Sequence, residues 1–310
     1  MTVSVTGLGS LTNRIGGPKS TNPTLNQISS HSKVPQTNAN RSIDPSSLTQ
    51  INNKPLYYKA SGDASGSPIV FVHGLGGSAE FFTPLIQSLG LDKSHSLHSF
   101  DLEGHGLSPT SPLSKLTIDS FAADVNGVFE TANIGAGATI IAHSMGCLIA
   151  VQFALKHPDN VSKLILLGPP PSPLPEAGST ATYARAKTVR TKGMAGIVDA
   201  VATAGTSAKS KTSVALAAAR MSLLSQDPEG YAKACTALAD ADGLDFAAIQ
   251  AKTTLIVTGN EDKTSPPQLC EKYVNQMQGK ASLRLLQDVG HWHVFEDVEG
   301  VAKAVGSFLS

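Results

Sequence analysis

Three side chains in this sequence stand in settings suited to nucleophilic catalysis. Ser144 lies in Ala142-His143-Ser144-Met145-Gly146. This is close to Gly-x-Ser-x-Gly, the pattern of a strand that turns sharply into a helix and lifts a serine hydroxyl clear of the backbone. The flanking positions of such a turn must be small, and Ala142 stands where the pattern has glycine. The helix start below Ser144 favours negative charge beside its oxygen. A serine hydroxyl is a weak nucleophile without a base. Asp262, in Gly259-x-x-Asp262, and His291, in Gly290-His291, each follow an apolar run with strand character. Functional residues in open α/β sheets gather at the carboxyl ends of strands. Helix capping would explain Ser144 alone, a turn would explain Asp262, and packing would explain His291. Three such residues, each after its own strand, make coincidence a poor account.

Acyl transfer also needs donors for a developing oxyanion. The Met145 N–H, directly after the nucleophile, is one candidate, and the Leu75 N–H in His73-Gly74-Leu75-Gly76-Gly77 is the other. Losing one such donor costs about 3 kcal/mol in other systems. The same glycines have neither a Gly-Lys-Ser/Thr ending nor Gly-x-Gly-x-x-Gly spacing, so no nucleotide cofactor is expected. Glu261 adjoins Asp262, but the Gly-x-x-Asp spacing selects Asp262. His291-x-His293 resembles half a metal site, but no further ligands at metal spacing accompany it, so no metal is expected. His143 reads as a wall or core residue.

Apolar runs alternating with helical stretches must position these groups. Residues 48–51 and 56–60 around Asn52-Asn53-Lys54 read as a hairpin. Residues 68–72 form a buried strand entering the glycine loop, and 96–100 form another that ends in Asp101-Leu-Glu-Gly-His-Gly106. A helix over 118–132, a strand over 138–142, a helix over 145–156 and a strand over 161–167 follow. Pro169, Pro170, Pro171, Pro173 and Pro175 then break the pattern, since neither a helix nor a central strand tolerates them. Residues 176–250 are Ala-rich and helical. The alternation resumes with a strand over 254–258, a helix over 267–278, a strand over 282–286 and a helix over 298–309. This order predicts an α/β fold, a doubly wound and mostly parallel sheet with an inserted helical cap. The expected organisation is a disordered leader over 1–45, a core over 46–168 and 251–310, and the cap over 169–250. The leader has no aromatic residue and a single acid, Asp44, too little apolar area to offset its ordering entropy.

Lys+Arg and Asp+Glu balance at 24 each, without the basic excess that nucleic-acid or anionic-membrane binding requires. Residues 131–155 carry no charged side chain, yet Gly135, Gly137, Ser144 and Gly146 interrupt them. A buried strand, a sharp turn and a buried helix explain this stretch better than a membrane span. Cys147, Cys235 and Cys270 are too sparse for a disulfide framework and suggest a reducing compartment. The N-terminus lacks a charged start followed by an apolar run. The expected location is cytoplasmic, with a mitochondrial leader, Ser-rich and acid-poor, as the alternative.

Taken as a set, His73-Gly74-Leu75-Gly76-Gly77, Asp101-x-x-Gly104-His105-Gly106, the Ser144 pentapeptide, Gly259-x-x-Asp262 and Gly290-His291 with Glu296 resemble the α/β-hydrolase fold family across residues 47–310. That family places its triad in the chain order Ser, Asp, His. A narrower resemblance is to the 3-oxoadipate enol-lactonase group. It rests on Lys192-Gly193-Met194-Ala195-Gly196-Ile197-Val198-Asp199, on Pro228-Glu229-Gly230-Tyr231 through Cys235, and on Asp240-Ala241-Asp242. The resemblance implies a small-molecule ester or lactone substrate and hydrolysis through an acyl-serine intermediate. His291 would be the base, with Asp262 orienting it. It implies no cofactor and leaves the oligomeric state open. An enol-lactone bears a carboxylate, which makes Arg185, Arg190 and Arg220 candidates to bind it, although each is expected as a solvated surface residue. A carbon–carbon bond hydrolase, a general carboxylesterase and a non-catalytic ligand sensor are the rival readings.

Overall fold

A computed structural model describes residues 48–211, 213–251 and 253–310. The leader expected over 1–45 lies outside the described residues. The structure opens with a small hairpin, β1 (Thr49–Ile51) and β2 (Lys54–Leu56). Its turn residues Asn52 and Asn53 have φ of 50° and 60°, the left-handed pair that matches strand twist in a two-residue hairpin loop. The second run was expected as one strand of this hairpin. It divides instead, and β3 (Tyr58–Gly62) leaves to pair antiparallel with β5 (His95–Phe100). The short loop closes only three residue pairs, and the chain beyond Leu56 gains more by completing the main sheet edge.

The main sheet has the order β3-β5-β4-β6-β7-β8-β9, with β4 (Ser67–Val72), β6 (Ala138–His143), β7 (Val161–Leu167), β8 (Thr253–Gly259) and β9 (Ala281–Leu286). Every pairing after β3–β5 is parallel. Side chains alternate across a strand. Val70, Val72, Ile140, Ala142, Leu164, Leu166 and Ile256 therefore pack on one side, against α2 (Ile118–Thr131), α3 (Met145–Lys156) and α8 (Pro267–Gln276). Ile69, Phe71, Ile141, Ile165, Leu167, Leu255 and Val257 pack on the other, against α1 (Thr83–Leu89) and α10 (Val298–Leu309). Each buried Val, Leu, Ile or Phe among them contributes about 1.5–3 kcal/mol. With both faces covered, the strands become continuous apolar runs. Helix α3 is buried almost all round, which explains the charge-free stretch over 131–155. No helix of the described residues is long and apolar enough to cross a membrane.

Between β7 and β8 the chain forms α4 (Glu176–Lys192), α5 (Val198–Gly205), α6 (Val214–Leu224) and α7 (Pro228–Ala239). Helix α7 buries Tyr231, Ala232 and Cys235 in the same cluster as Ala186 and Val189 of α4. Arg190 clamps Glu229 through two hydrogen bonds of 2.8 and 3.0 Å. Helix α7 also rests on the Asp101–Gly106 loop at a glycine–glycine contact. A Cβ on Gly230 would stand 2.2 Å from the Gly104 carbonyl oxygen, and one on Gly104 would stand 2.7 Å from the Gly230 Cα. Helix α6 and the turn after it hold the glycine loop, where Ser222 Oγ and Gln226 Nε2 donate to the Gly76 carbonyl at 2.7 and 3.2 Å.

Candidate active site

Strand β6 ends at His143, and α3 begins at Met145. Ser144, the residue between them, has φ 53° and ψ −124°, a strained backbone for a side chain larger than glycine. Its environment enforces this. The Ser144 N–H donates to the Leu167 carbonyl at 2.9 Å. A Cβ at Gly146 would meet the Val72 carbonyl oxygen at 2.2 Å, and one at Gly74 would meet Ser144 Cβ at 2.7 Å. Small residues on either side let three backbone segments converge under one hydroxyl. Ala142, fully buried, fills the position where the motif has glycine.

The side chains of Ser144, His291 and Asp262 form one line. Ser144 Oγ is 2.8 Å from His291 Nε2, and His291 Nδ1 is 2.9 Å from Asp262 Oδ2. A carboxylate only accepts, so His291 carries its proton on Nδ1 and presents a bare Nε2 to the serine. Asp262 Oδ1 accepts the Thr264 and Ser265 N–H groups, both at 2.8 Å. Burial alone would push the Asp262 carboxyl up. His291 and His293 beside it overcome this by charge and hydrogen bonding and hold it well below the usual carboxylate range.

Backbone contacts place the loop carrying His291. Its N–H donates to the Gly205 carbonyl at 2.6 Å. Glu296 accepts the Gly290 and Trp292 N–H groups at 3.1 and 3.2 Å. His143 Nε2 donates to the His291 carbonyl at 2.8 Å, and its ring stacks on Phe81 with centroids 4.3 Å apart. Burial, with His291 and His293 adjacent, keeps His143 neutral by lowering its pKa well below the ordinary histidine value.

The candidate oxyanion donors lie beside the serine. Met145 is the first residue of α3, and Leu75 lines the same cavity as Ser144. Among the described residues, neither N–H is taken by a loop, cap or side-chain hydrogen bond. The glycine loop is braced from below. His73 donates from Nδ1 to the Gly74 carbonyl at 2.9 Å and accepts the Leu102 N–H on Nε2 at 3.0 Å. Asp101 accepts the Ala79 and Leu107 N–H groups at 2.6 and 2.8 Å.

A cavity of about 700 Å³ opens over Ser144 and His291. Leu174, Arg185 and Ile197 line its far side, from the segment between β7 and β8. Arg185 departs from expectation. It is half-buried and lines the cavity, donating to the Tyr231 hydroxyl at 3.4 Å. Among the described residues it has no carboxylate partner, and no Asp or Glu lines the cavity. Helix α4 is only weakly amphipathic in sequence, so which of its faces turns inward is decided by its packing on α7. Arg190 and Arg220 pair with Glu229 and Asp199 in partly exposed contacts away from the cavity. Tyr231, fully buried, supports Arg185 and does not line the cavity. Burial pushes the Tyr231 phenol up to about 12. Two groups passed over as decoys also have work here. Glu261 accepts the Ala208 N–H at 2.8 Å, and His293 Nε2 stands 3.2 Å from Asp262 Oδ2. The His-x-His spacing was the available signal for His293, although it pointed to a metal. Among the described residues no group of three or more His, Cys, Asp or Glu has the geometry to hold a metal ion.

A family model described as alpha/beta hydrolase fold matches residues 67–298. The putative carbamate hydrolase RutD of Variovorax paradoxus is 33% identical over 113 residues, 36% of this chain and 42% of that protein. The chain thus spans less than half the length of this curated relative. Among solved structures, the enol-lactonase from Burkholderia xenovorans LB400 superposes with a TM-score of 0.75 at 28% identity, covering 84% of this chain and 99% of that one. A thermophilic esterase from Thermogutta terrifontis superposes with a TM-score of 0.76 at 23% identity, covering 83% and 93%. That second likeness is one of fold.

Proposed function

The chain belongs to the α/β hydrolase fold family, and from the geometry of its site we propose that it is a serine hydrolase cleaving small carboxylic esters or lactones through an acyl-serine intermediate. The observation that carries this reading is the unbroken line from Ser144 Oγ through His291 to Asp262, with contacts of 2.8 and 2.9 Å, beneath the cavity. In it, His291 Nε2 takes the Ser144 proton as Oγ attacks the carbonyl carbon, and Asp262 stabilises the imidazolium. The Met145 and Leu75 N–H groups receive the oxyanion. Collapse of the tetrahedral intermediate expels the alcohol, which takes the proton from His291. Water, activated by His291, then releases the acid. No cofactor is needed.

Residues 169–250 act as a cap that sets the substrate in this reading. The cavity is mainly apolar, with the cations Arg185 and Lys263 among its lining residues and, among the described residues, no acid lining it to neutralise them. An acyl group that is largely apolar but carries a carboxylate suits such a lining, because positive charge without a carboxylate partner beside a cavity favours an anion. Likeness to the solved enol-lactonase supports the same substrate class. The test is fluorophosphonate labelling with turnover of a panel of aryl esters, lactones and dienone carbon–carbon substrates, on the wild type and Ser144→Ala. Labelling and ester or lactone turnover lost in a folded Ser144→Ala protein is the expected result. Near-normal turnover in that variant would eliminate the mechanism, and turnover of the dienone alone would reassign the substrate class.

A further inference from the structure

His293 is fully buried at the start of a short helix, α9 (His293–Glu296). Its Nε2 lies 3.2 Å from Asp262 Oδ2, the oxygen that His291 Nδ1 also approaches at 2.9 Å. Among the described residues, neither nitrogen of His293 makes a hydrogen bond of good geometry, and the Asp262 contact at Nε2 is close without being well aligned. The ring is tightly enclosed. A Cβ on Gly168 would fall 2.5 Å from His293 Cε1 and 3.1 Å from Asp262 Oδ2, and the His143 ring stands edge-on with centroids 5.8 Å apart. A buried imidazole costs free energy unless its polar atoms are used. Among the described residues the Asp262 carboxylate is the acceptor its Nε2 approaches, and because a carboxylate only accepts, the approach is favourable only with a proton on His293 Nε2.

We propose that His293 is a positioning residue: it shares Asp262 Oδ2 with His291, fixing the carboxylate and moderating how strongly that carboxylate favours a charged His291. This rests on the reading of Ser144, His291 and Asp262 as a proton relay. When Ser144 Oγ passes its proton to His291 Nε2, the new imidazolium leans on Oδ2 through Nδ1–H. With His293 Nε2–H on the same oxygen, Oδ2 divides its charge between two donors. Removing the second donor leaves Oδ2 wholly to His291. The charged imidazole then forms more readily at rest, where it cannot act as a base, and the carboxylate loses one restraint.

Other titratable groups also face this cluster. Burial, with the neighbouring histidines, keeps His143 neutral. Burial, reinforced by nearby negative charge, holds the Cys147 thiol well above its ordinary value and pushes Cys270 up to about 12. Glu296 is engaged with the Gly290 and Trp292 N–H groups, and Lys263 is exposed beside Asp262.

The experiment compares His293→Leu, which keeps comparable bulk, with His293→Gln, whose amide keeps a donor near the Nε2 position. Steady-state pH profiles are taken on a simple aryl ester with the full chain. His293→Leu should lower kcat by about tenfold with KM little changed. It should also move the acid limb of kcat/KM upward by about half a pH unit. His293→Gln should restore the limb and most of kcat. A folded His293→Leu with the wild-type limb and kcat, or a Gln variant no better than Leu, would show that the ring is only packing. If His293→Leu does not fold, nitrogen NMR of the wild-type chain labelled with 15N-histidine decides. A proton on His293 Nε2 is expected, and a bare Nε2 would overturn the proposal. Absence of fluorophosphonate labelling in the wild type would sink the relay reading instead, and the NMR result on His293 would still be read separately.

Discussion

Replacing Asp262 by Asn tests the relay at its most constrained point, because the surroundings dictate how the amide must sit. Oδ1 accepts two buried backbone N–H groups, from Thr264 and Ser265, each at 2.8 Å. If the amide nitrogen took that position, two donors would face a donor, at about 1–3 kcal/mol for each unsatisfied group. The nitrogen must therefore occupy the Oδ2 position, opposite His291 Nδ1 at 2.9 Å. There it donates, and His291 is forced to accept on Nδ1 and carry its proton on Nε2. That proton points at Ser144 Oγ, 2.8 Å away, where a bare lone pair is required. His293, 3.2 Å from the same oxygen, must change tautomer as well. The geometry stays intact and the base is lost, a condition that in a serine protease costs about 10⁴-fold in kcat, or about 5.5 kcal/mol. The assay is steady-state hydrolysis of an aryl ester by Asp262→Asn and wild type, with circular dichroism to show that both are folded. A folded Asn variant within tenfold of wild type would refute the assignment of Asp262 as the group that sets the His291 tautomer.

Three further outcomes are expected. Arg185→Leu should raise KM for carboxylate-bearing esters by about tenfold while leaving neutral esters of equal size nearly unchanged; equal effects on both would remove Arg185 from substrate recognition. Stability should fall as pH drops below neutrality. Burial lowers His73 to about 3 and His105 to about 4, and holds His143 well below its ordinary value of 6.5. The unfolded chain therefore takes up these protons first, and the stabilisation present above the ordinary histidine value is lost by at most about 1.4 kcal/mol per pH unit for each. Asp101, raised to about 6, and Asp124, also raised, both chiefly by burial, act in the opposite sense, since the folded chain binds their protons first, but they oppose four histidines, because burial lowers His98 as well. Urea midpoints that do not fall between neutral pH and about pH 4 would contradict this account. Gly230→Ala should destabilise by about 2–3 kcal/mol because its Cβ would strike the Gly104 backbone. Gly135→Ala, which meets nothing within 4 Å, should cost nothing measurable in the same thermal melt.

The doubly wound sheet was legible in the sequence because its causes are local. A strand covered on both faces must be an apolar run, and a strand that turns into a helix over a hydroxyl needs small residues such as Ala142 and Gly146. The order Ser144, Asp262, His291 was legible for the same reason, as each residue follows a run that reads as a strand without reference to any other. The hairpin boundary was less so, because β3 could pair with β2 or with β5, and that choice depends on a partner some forty residues away. Arg185 belonged to the tertiary structure alone. Helix α4 has little amphipathic contrast, so its packing on α7 decided that Arg185 would line the cavity. His143 and His293 were visible as residues but not as contacts. One reaches a carbonyl 148 positions along the chain, and the other reaches a carboxylate presented by a different strand end. Short-range sterics write strands, turns and motif order into neighbouring residues, whereas the sharing of one carboxylate oxygen by two imidazoles exists only once distant loops have converged in space.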